Sequence, residues 1–248
     1  EKIQKKIELL KEQKASLINN CVTKGLDPSV EMKYSGVEWI GDIPKHWEVT
    51  RLKFHGEIIS GLSFNKDDIV DESEGTLVLR SSNVQNGKVN FSNNVWVRTK
   101  IPHRLFVQKG DILICSANGS RNLIGKNCIL NEESLGMTWG VFMSVFRSHH
   151  PDFFYWVLNS QVFKSQSGLY LTSTINQLTA FTLKNLMVPF VLDKDEQRKI
   201  VDYLTQETQL IDSLMKKEER RLSILKEYRQ SLISSVVTGK VKVTEDMI

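Results

Sequence analysis

Residues 10–23 read LKEQKASLINNCVT, and residues 225–238 read LKEYRQSLISSVVT. The two stretches align at a constant offset of 215 residues (225 − 10), and a basic residue recurs inside them, Lys14 against Arg229. Ordinary amphipathic helices share an apolar pattern but not this many identities, so we interpret the two stretches as copies of one repeat unit.

Each copy lies in a segment with helical periodicity. Lys2 to Val22 has the four-and-three spacing of a coiled-coil seam with one lysine in it. The seam residues are Ile3, Ile7, Leu10, Lys14, Leu17 and Cys21. The second segment starts near Asp193, where Asp193 and Glu196 resemble a capping box, and ends at Gly239. Without internal Pro or Gly, it predicts one helix on the order of 65 Å long. Its apolar positions include Leu204, Ile211, Leu214, Leu222, Leu225, Leu232 and Val236.

These seams predict helix–helix or helix–partner contacts. The residues expected there are Ile7, Leu10, Lys14, Leu17, Leu222, Leu225, Arg229 and Leu232. The two basic positions either fix the register at some cost in stability or extend into solvent. The second copy continues upstream, from Asp195 to about Met215. We therefore expect the first copy to be truncated, with an earlier domain before Glu1 in the complete protein.

Between the helices the chain changes character. Short β-like runs alternate with turn signals such as Asn86-Gly87 and Asn118-Gly119. The predicted strands are 76–80, 95–97, 111–115 and 140–146, and a helix is predicted from Pro151 to about Ser165. This pattern indicates a mixed α+β domain between the two helices.

The charge is unevenly distributed. From Gly75 to Leu192, eleven Lys and Arg stand against four Asp and Glu, a balance of +7, whereas the whole chain carries +4. A basic body joined to near-neutral or acidic helices is typical of a protein that binds a polyanion through its body and protein through its helices. An ordinary solvated basic surface is the alternative.

The cysteines and the hydropathy favour a cytoplasmic protein. Cys21, Cys115 and Cys128 are odd in number and lack CxxC spacing, which argues against a disulfide framework or a zinc site. No apolar run approaches the roughly 18 residues that a membrane span needs, and the charged start at Glu1 is unlike a signal peptide. We therefore expect no membrane contact.

No motif predicts catalysis. Gly119 to Lys126 resembles a phosphate-binding loop, but five residues separate its glycines and no Ser or Thr follows Lys126. No G-x-G-x-x-G opens a βαβ unit. His149-His150 lacks metal ligands at suitable spacing, and Asp193 to Glu196 suits a helix N-terminus. A site assembled only by the fold stays open as an alternative.

Six segments, taken in order, resemble type I restriction-modification specificity subunits. They are 43–52, 79–88, 110–126, 172–177, 183–189 and 196–201. Examples are Leu79-Arg80-Ser81-Ser82-Asn83-Val84 and Gly110-Asp111-Ile112-Leu113-Ile114. Each segment alone is weakly specific, but their order, with the repeated helix on both flanks, covers nearly the whole chain.

The resemblance implies a fold and a function. Full members of this family carry two target recognition domains, each reading half of a split DNA site, and two long conserved helices that pack antiparallel and set the gap. Methyltransferase subunits bind the specificity subunit and modify adenine, and a motor-nuclease subunit joins for cleavage. This chain would then be a non-catalytic subunit without a cofactor or metal, since methyl donor, ATP and Mg²⁺ belong to the partner subunits.

The resemblance gives the expected organisation. The fold class is α+β, with one mixed α/β target recognition domain and long antiparallel coiled-coil helices at both ends. Residues 1–25 are the end of a conserved helix, 26–192 the recognition domain, 193–240 the second helix and 241–248 a tail. With one recognition domain, the chain is either half of a full subunit or a natural half-subunit that forms a homodimer. In the second case, the two-fold symmetry of the dimer predicts a palindromic split site.

Reading a half-site requires base contacts and phosphate contacts. For guanine we expect Arg80, Arg104 and Arg121, and for adenine Asn83, Asn118, Asn122 and Gln177. For phosphates we expect Ser81, Ser82, Lys88, Lys100, Lys126, Ser173 and Thr174. Ser120 is a further residue that we expect to contact DNA. Arg121, in a Gly/Ser/Asn loop, is the strongest single candidate. For any one of these residues, a turn-forming or solvated role is the alternative.

Two other functions compete with DNA specificity. One is a stand-alone nuclease or methyltransferase with an unrecognised site, which would turn over DNA without partners. The other is a coiled-coil adaptor whose middle domain binds protein, which would not bind duplex DNA in a salt-sensitive way.

Overall fold

A computed structural model describes residues 1–170 and 177–240 of the 248-residue chain. The helices are α1 (Lys2–Lys24), α2 (Pro151–Leu158), α3 (Gln161–Tyr170), α4 (Ala180–Asn185) and α5 (Lys194–Val237). The strands are β1 (Met32–Tyr34), β2 (Asp42–Pro44), β3 (Glu48–Arg51), β4 (Gly56–Ser60), β5 (Ile69–Val70), β6 (Thr76–Leu79), β7 (Val84–Gln85), β8 (Lys88–Val89), β9 (Trp96–Val97), β10 (Ile112–Cys115), β11 (Asn127–Ile129), β12 (Thr138–Trp139), β13 (Met143–Ser148) and β14 (Met187–Phe190). The protein is thus a mixed α+β structure.

The chain forms two compact units. One comprises Ile18–Asp202 and contains every strand named above. The other comprises Glu1–Leu17 and the chain from Tyr203 onward, and it is helical where described. The limits between the units fall inside α1 and α5, so the inner end of each helix belongs to the α+β unit.

Two four-stranded sheets organise the described part of the α+β unit. The first has the order β11-β10-β13-β4 and is antiparallel throughout. The second has the order β12-β6-β9-β5, in which only the β12–β6 pair is parallel. Short antiparallel pairs, β1–β2, β3–β14 and β7–β8, complete the strand pairing.

The two sheets share one hydrophobic core. Leu79 and Trp139 of the second sheet and Leu113 and Val145 of the first are fully buried in the same cluster. The Trp139 indole Nε1 also donates to the Ile59 carbonyl at 3.3 Å, which satisfies a polar group that burial would otherwise leave unpaired. The core therefore fixes the strand ends of both sheets relative to each other.

The predicted strands and the predicted helix lie at the right places in the chain, but several have different lengths in the structure. Strands β6, β9 and β10 lie within the predicted runs, but 140–146 divides into a turn and the start of β13. The predicted helix from Pro151 breaks at Asn159-Ser160 into α2 and α3. There the Asn159 amide donates to the Tyr155 carbonyl and the Ser160 hydroxyl to the Val157 carbonyl, side-chain bonds that compete with continued helix.

All six seam positions of α1 are at least half-buried, whereas the apolar positions of α5 are buried only in part. In α1, Ile7 and Cys21 are buried and Ile3, Leu10, Lys14 and Leu17 half-buried. In α5, Leu204 and Ile211 are buried and Leu222 half-buried, but Leu214, Leu225, Arg229 and Leu232 are exposed. One turn after the exposed Leu214, the helix buries Glu218, which accepts a 2.6 Å bond from Lys6.

A second ion pair joins α1 to α5 within the helical unit. Lys14 Nζ lies 2.6 Å and 2.7 Å from the two carboxylate oxygens of Asp212. The pairs Lys6–Glu218 and Lys14–Asp212 therefore occur in opposite order along the two helices: the residue number rises from 6 to 14 in α1 and falls from 218 to 212 in α5. None of the described helices has the length and apolar character needed to cross a membrane.

Candidate nucleic-acid interface

Loops that leave the two sheets meet at one cleft of about 950 Å³. Five residues predicted to contact DNA line it, contributed by three separate segments of the chain. They are Arg80, Ser81, Ser82, Asn118 and Gln177. The fold thus brings together side chains that the sequence separates by almost one hundred residues, and we call this site the polar cleft.

Direct contacts hold the walls of the polar cleft together. The Asn118 amide donates to the Ser81 hydroxyl at 3.0 Å, which joins the loop after β10 to the loop after β6. Ala117 forms an antiparallel bridge with Gln177, and the next backbone N–H, of Leu178, donates to the Ser116 carbonyl at 2.7 Å. The Gln177 backbone is therefore fixed while its side chain stays exposed at the rim.

Arg80 lies at the end of β6 with its guanidinium only partly used. Its Nη2 donates to the Asn93 backbone and side-chain oxygens at 3.2 Å and 3.1 Å. Its Nε is buried and has no hydrogen-bond partner among the described residues. A guanidinium has five N–H donors, and among the described residues only Nη2 of Arg80 has partners, so Arg80 retains donors for an acceptor in the cleft.

Asn83 has a different position from the one predicted. It is fully buried, its amide nitrogen donates to the Asn90 carbonyl at 2.9 Å, and its side-chain oxygen accepts from the Arg80 backbone N–H at 3.0 Å. With its polar atoms used inside the loop, Asn83 shapes the backbone beside Arg80 and Ser81. We do not retain it as a base-contacting residue.

The other predicted contacts lie outside the lining of the cleft. Exposed residues of this group are Lys88, Lys100, Arg104, Ser120, Arg121 and Asn122, and Lys126 is half-buried. Arg121 lies in a short 3-10 turn, where its Nη2 reaches the Gly168 carbonyl at 3.4 Å. Ser173 and Thr174 lie outside the described residues.

The polar cleft also has an apolar rim that the sequence did not reveal. Val141 and Phe142 line it and are 46% and 66% exposed. Both residues lie in the run 140–146, which was predicted as a strand. Gly140 at the head of that run was the available signal, because a glycine inside a strand pattern often marks a bend.

The chemistry of the cleft suits recognition by hydrogen bonds. One guanidinium, three side-chain amides and two serine hydroxyls line it, and neither Asp nor Glu is among the lining residues that the structure describes. Nowhere among the described residues do three or more His, Cys, Asp or Glu side chains form a group that could hold a metal ion. His150 instead packs against the Phe190 ring, with centroids 5.3 Å apart.

The three cysteines are buried thiols. Burial raises the pKa of Cys21 to about 11 and that of Cys128 to about 12, and it also raises the pKa of Cys115. A thiol with a raised pKa carries little of the thiolate that nucleophilic chemistry requires.

Comparisons with known proteins agree with this architecture. The chain is 24% identical over 210 residues to the Type I restriction enzyme EcoKI specificity subunit of Escherichia coli (strain K12), covering 81% of this chain and 44% of that protein. It is 26% identical to the MjaVIII specificity subunit of Methanocaldococcus jannaschii, covering 97% and 56%. The crystal structure of the HsdS subunit from Thermoanaerobacter tengcongensis has the same fold, with a TM-score of 0.63 at 17% identity over 96% of this chain and 53% of that one.

The chain spans about half the length of the curated relatives it matches, 44% and 56% for the two above. Residues 44–223, well over half of the sequence, match the family described as Type I restriction modification DNA specificity domain. The chain therefore belongs to the family of type I restriction-modification specificity domains.

Proposed function

We propose that this chain is the DNA-recognition subunit of a type I restriction-modification complex and performs no catalysis itself. It reads one half of a split site in double-stranded DNA through the polar cleft. The observation that carries the proposal is the convergence of Arg80, Asn118 and Gln177 on one acid-free cleft in a specificity domain.

The side chains match the groups that bases present in the major groove. Arginine donates two bonds to guanine, and asparagine or glutamine pairs with adenine. The serine hydroxyls of the cleft suit either bases or phosphates. Exposed cations away from the cleft, such as Lys100, are proposed to contact phosphates and to add affinity without sequence preference. We propose the same role for Arg121, which the sequence analysis expected to read guanine, because it does not line the cleft.

We further propose that α1 and α5 form an antiparallel coiled coil that docks methyltransferase subunits, through which a motor-nuclease subunit joins. The opposite order of the pairs Lys6–Glu218 and Lys14–Asp212 along the two helices supports this arrangement. The names of the relatives support the partners, because each is the specificity subunit of a restriction enzyme. Methyl donor, ATP and Mg²⁺ would bind those partner subunits.

The proposal is tested by DNA binding of the chain in complex with its methyltransferase subunits. Asn118→Ala and Gln177→Ala should each weaken binding to the cognate site by about 1–3 kcal/mol and leave non-specific binding unchanged. Gln161→Ala, an exposed glutamine on α3 outside the cleft, is the matched control. Cognate binding by both cleft variants equal to that of the control would refute the role of the cleft.

Experiments on the purified chain without partner subunits separate the competing functions. Incubated alone with DNA, Mg²⁺ and methyl donor, the chain should neither cut nor methylate DNA, whereas turnover would identify an enzyme. Affinity for duplex DNA should fall steeply between 50 and 200 mM salt, in proportion to the number of phosphates neutralised. Binding that is indifferent to salt would favour a protein-binding adaptor.

A homodimer is the assembly we propose if the chain acts as a half-subunit. Beyond Leu222, α5 keeps the repeated apolar positions, yet Leu225 and Leu232 are 47% and 46% exposed. A second copy is suited to cover this stripe, because α1 carries the same repeat and a two-fold pair uses matching surfaces. Light scattering should then give twice the mass of one chain. In the double variant Leu225→Glu/Leu232→Glu, the measured mass should fall to that of one chain.

A further inference from the structure

The turn Gly140–Met143 is fastened to both sheets. The Met143 N–H donates to the Gly140 carbonyl at 2.8 Å, which closes the turn, and the Gly140 N–H donates to the Leu79 carbonyl of β6 at 3.0 Å. On the other side, the Phe142 carbonyl accepts three bonds of 3.0 Å, from the Ser116 and Ala117 N–H groups and the Ser116 hydroxyl. The backbone of the turn is thus held where the loops of the polar cleft begin.

This fixed turn presents apolar side chains to solvent. Phe142 is 66% exposed and Val141 46% exposed, and both line the polar cleft. An exposed phenylalanine by itself is ordinary, and Phe54 and Phe181 are 68% and 77% exposed without lining the cleft. What distinguishes Phe142 is its position on a clamped turn beside Arg80, Asn118 and Gln177.

The set of groups in the cleft points to what Phe142 contacts. Arginine and amide side chains read guanine and adenine, but neither reads the one apolar group of the major groove, the 5-methyl of thymine, which proteins contact with small or aromatic apolar side chains. A turn held on both sides also loses little conformational freedom when it binds.

We propose that the Val141–Phe142 turn is the thymine-reading element of this domain, with the Phe142 ring packed against a thymine 5-methyl group in the major groove. The inference rests on the proposed DNA-recognition function and extends it to a residue and a base feature. The same cleft then reads hydrogen-bonding edges through its polar walls and a methyl group through its rim.

The test replaces thymine by deoxyuridine, which removes only the methyl group. The half-site is first identified by mapping methylated adenines. A series of duplexes is then prepared, each with a single thymine of the half-site replaced by deoxyuridine. Each duplex is titrated with the complex of this chain and its methyltransferase subunits. At one position the wild-type complex should lose about fourfold in affinity, which corresponds to the burial of one methyl group.

Phe142→Ala should bind the thymine duplex about as weakly as wild type binds the deoxyuridine duplex, and the replacement at that position should no longer weaken it. Phe142→Leu, which stays apolar, should retain part of the discrimination, and Phe181→Ala should behave as wild type. The melting temperature of each variant, compared with that of wild type, shows whether the substitution has left the fold intact.

Two negative results differ in meaning. If the wild-type complex binds the mapped site specifically but no deoxyuridine position weakens it, or if Phe142→Ala keeps the wild-type sensitivity, the thymine contact is wrong and the recognition function stands. If the wild-type complex has no preference for the mapped site, the proposed function itself fails.

Discussion

His55 is the residue whose protonation should have the clearest effect on stability. It is 8% exposed, and its ring lies 4.1 Å from that of Phe190 and 4.9 Å from that of Phe154. Burial, and then the charges of His150 and His149, lower its pKa from 6.5 to about 4. The folded protein therefore binds this proton less readily than the unfolded chain does.

Because the unfolded chain takes up the proton first, the free energy of unfolding should fall as the pH drops from 6.5 towards 4. The contribution of His55 to this loss should be about 3 kcal/mol at most. Urea unfolding at pH 7 and pH 4.5 measures it, with His55→Phe as the comparison, since phenylalanine cannot take up a proton. An identical pH dependence in the two proteins would contradict the assignment.

The sequence indicated which residue types contact DNA, but it did not indicate which of those residues are buried and which are exposed. Arg80, Asn118 and Gln177 stood out as base-reading side chains in turn-rich segments, and the structure brings all three to one cleft. Asn83 had the same sequence signature and is fully buried, because its loop closes over it. Phe142 lay in a run predicted as a strand, but it is exposed on a turn because the strand begins one residue later.

At the scale of elements, the start of α5 shows how tertiary contacts override a local motif. Asp193 caps the helix as predicted, accepting from the Asp195 and Glu196 backbone N–H groups. The Glu196 carboxylate, predicted to complete a capping box, instead accepts from Trp47 Nε1 at 2.9 Å and lies 2.8 Å from His46 Nε2. Because Trp47 lies 149 positions from Glu196 in the chain, the sequence around Glu196 gives no indication of this contact.

Glu196→Ala should destabilise the α+β unit by about 1–3 kcal/mol, because the indole N–H of the fully buried Trp47 would lose its acceptor. Glu196→Gln keeps an oxygen acceptor and should lose less. Chemical denaturation followed by tryptophan fluorescence measures both, with Asp195→Ala in the same turn as the control. A loss no larger than that of the control would show that the Glu196–Trp47 bond contributes little.

The pair Lys14–Asp212 tests the register of the helices. Its side chains are 29% and 47% exposed, so the pair should contribute only about 0.5–1 kcal/mol. Lys14→Asp and Asp212→Lys should each lower the stability of the helical unit, and combining them should recover most of it. If the combined variant lost the sum of the two single effects, the two positions would not be neighbours.

At the scale of the whole molecule, the sequence predicted the mixed α+β class, because strand runs and turn signals fall between two helical segments. It could not predict how the strands divide into two sheets, since pairs such as β4 with β13 join residues far apart in the chain. The polar cleft lies where loops from those sheets meet, so its shape could not be predicted from the sequence, although Gly140 offered a signal for the bend at its apolar rim.

Mapping methylated adenines in cells that carry this chain and its methyltransferase subunits tests the central claim most directly. We predict one split motif for the wild type and for Gln161→Ala, and a motif relaxed at one or two base positions for Gln177→Ala. Two inverted halves would indicate a pair of identical chains. Methylation of an unchanged motif by both Gln177→Ala and Asn118→Ala would contradict the claim that the polar cleft selects the sequence.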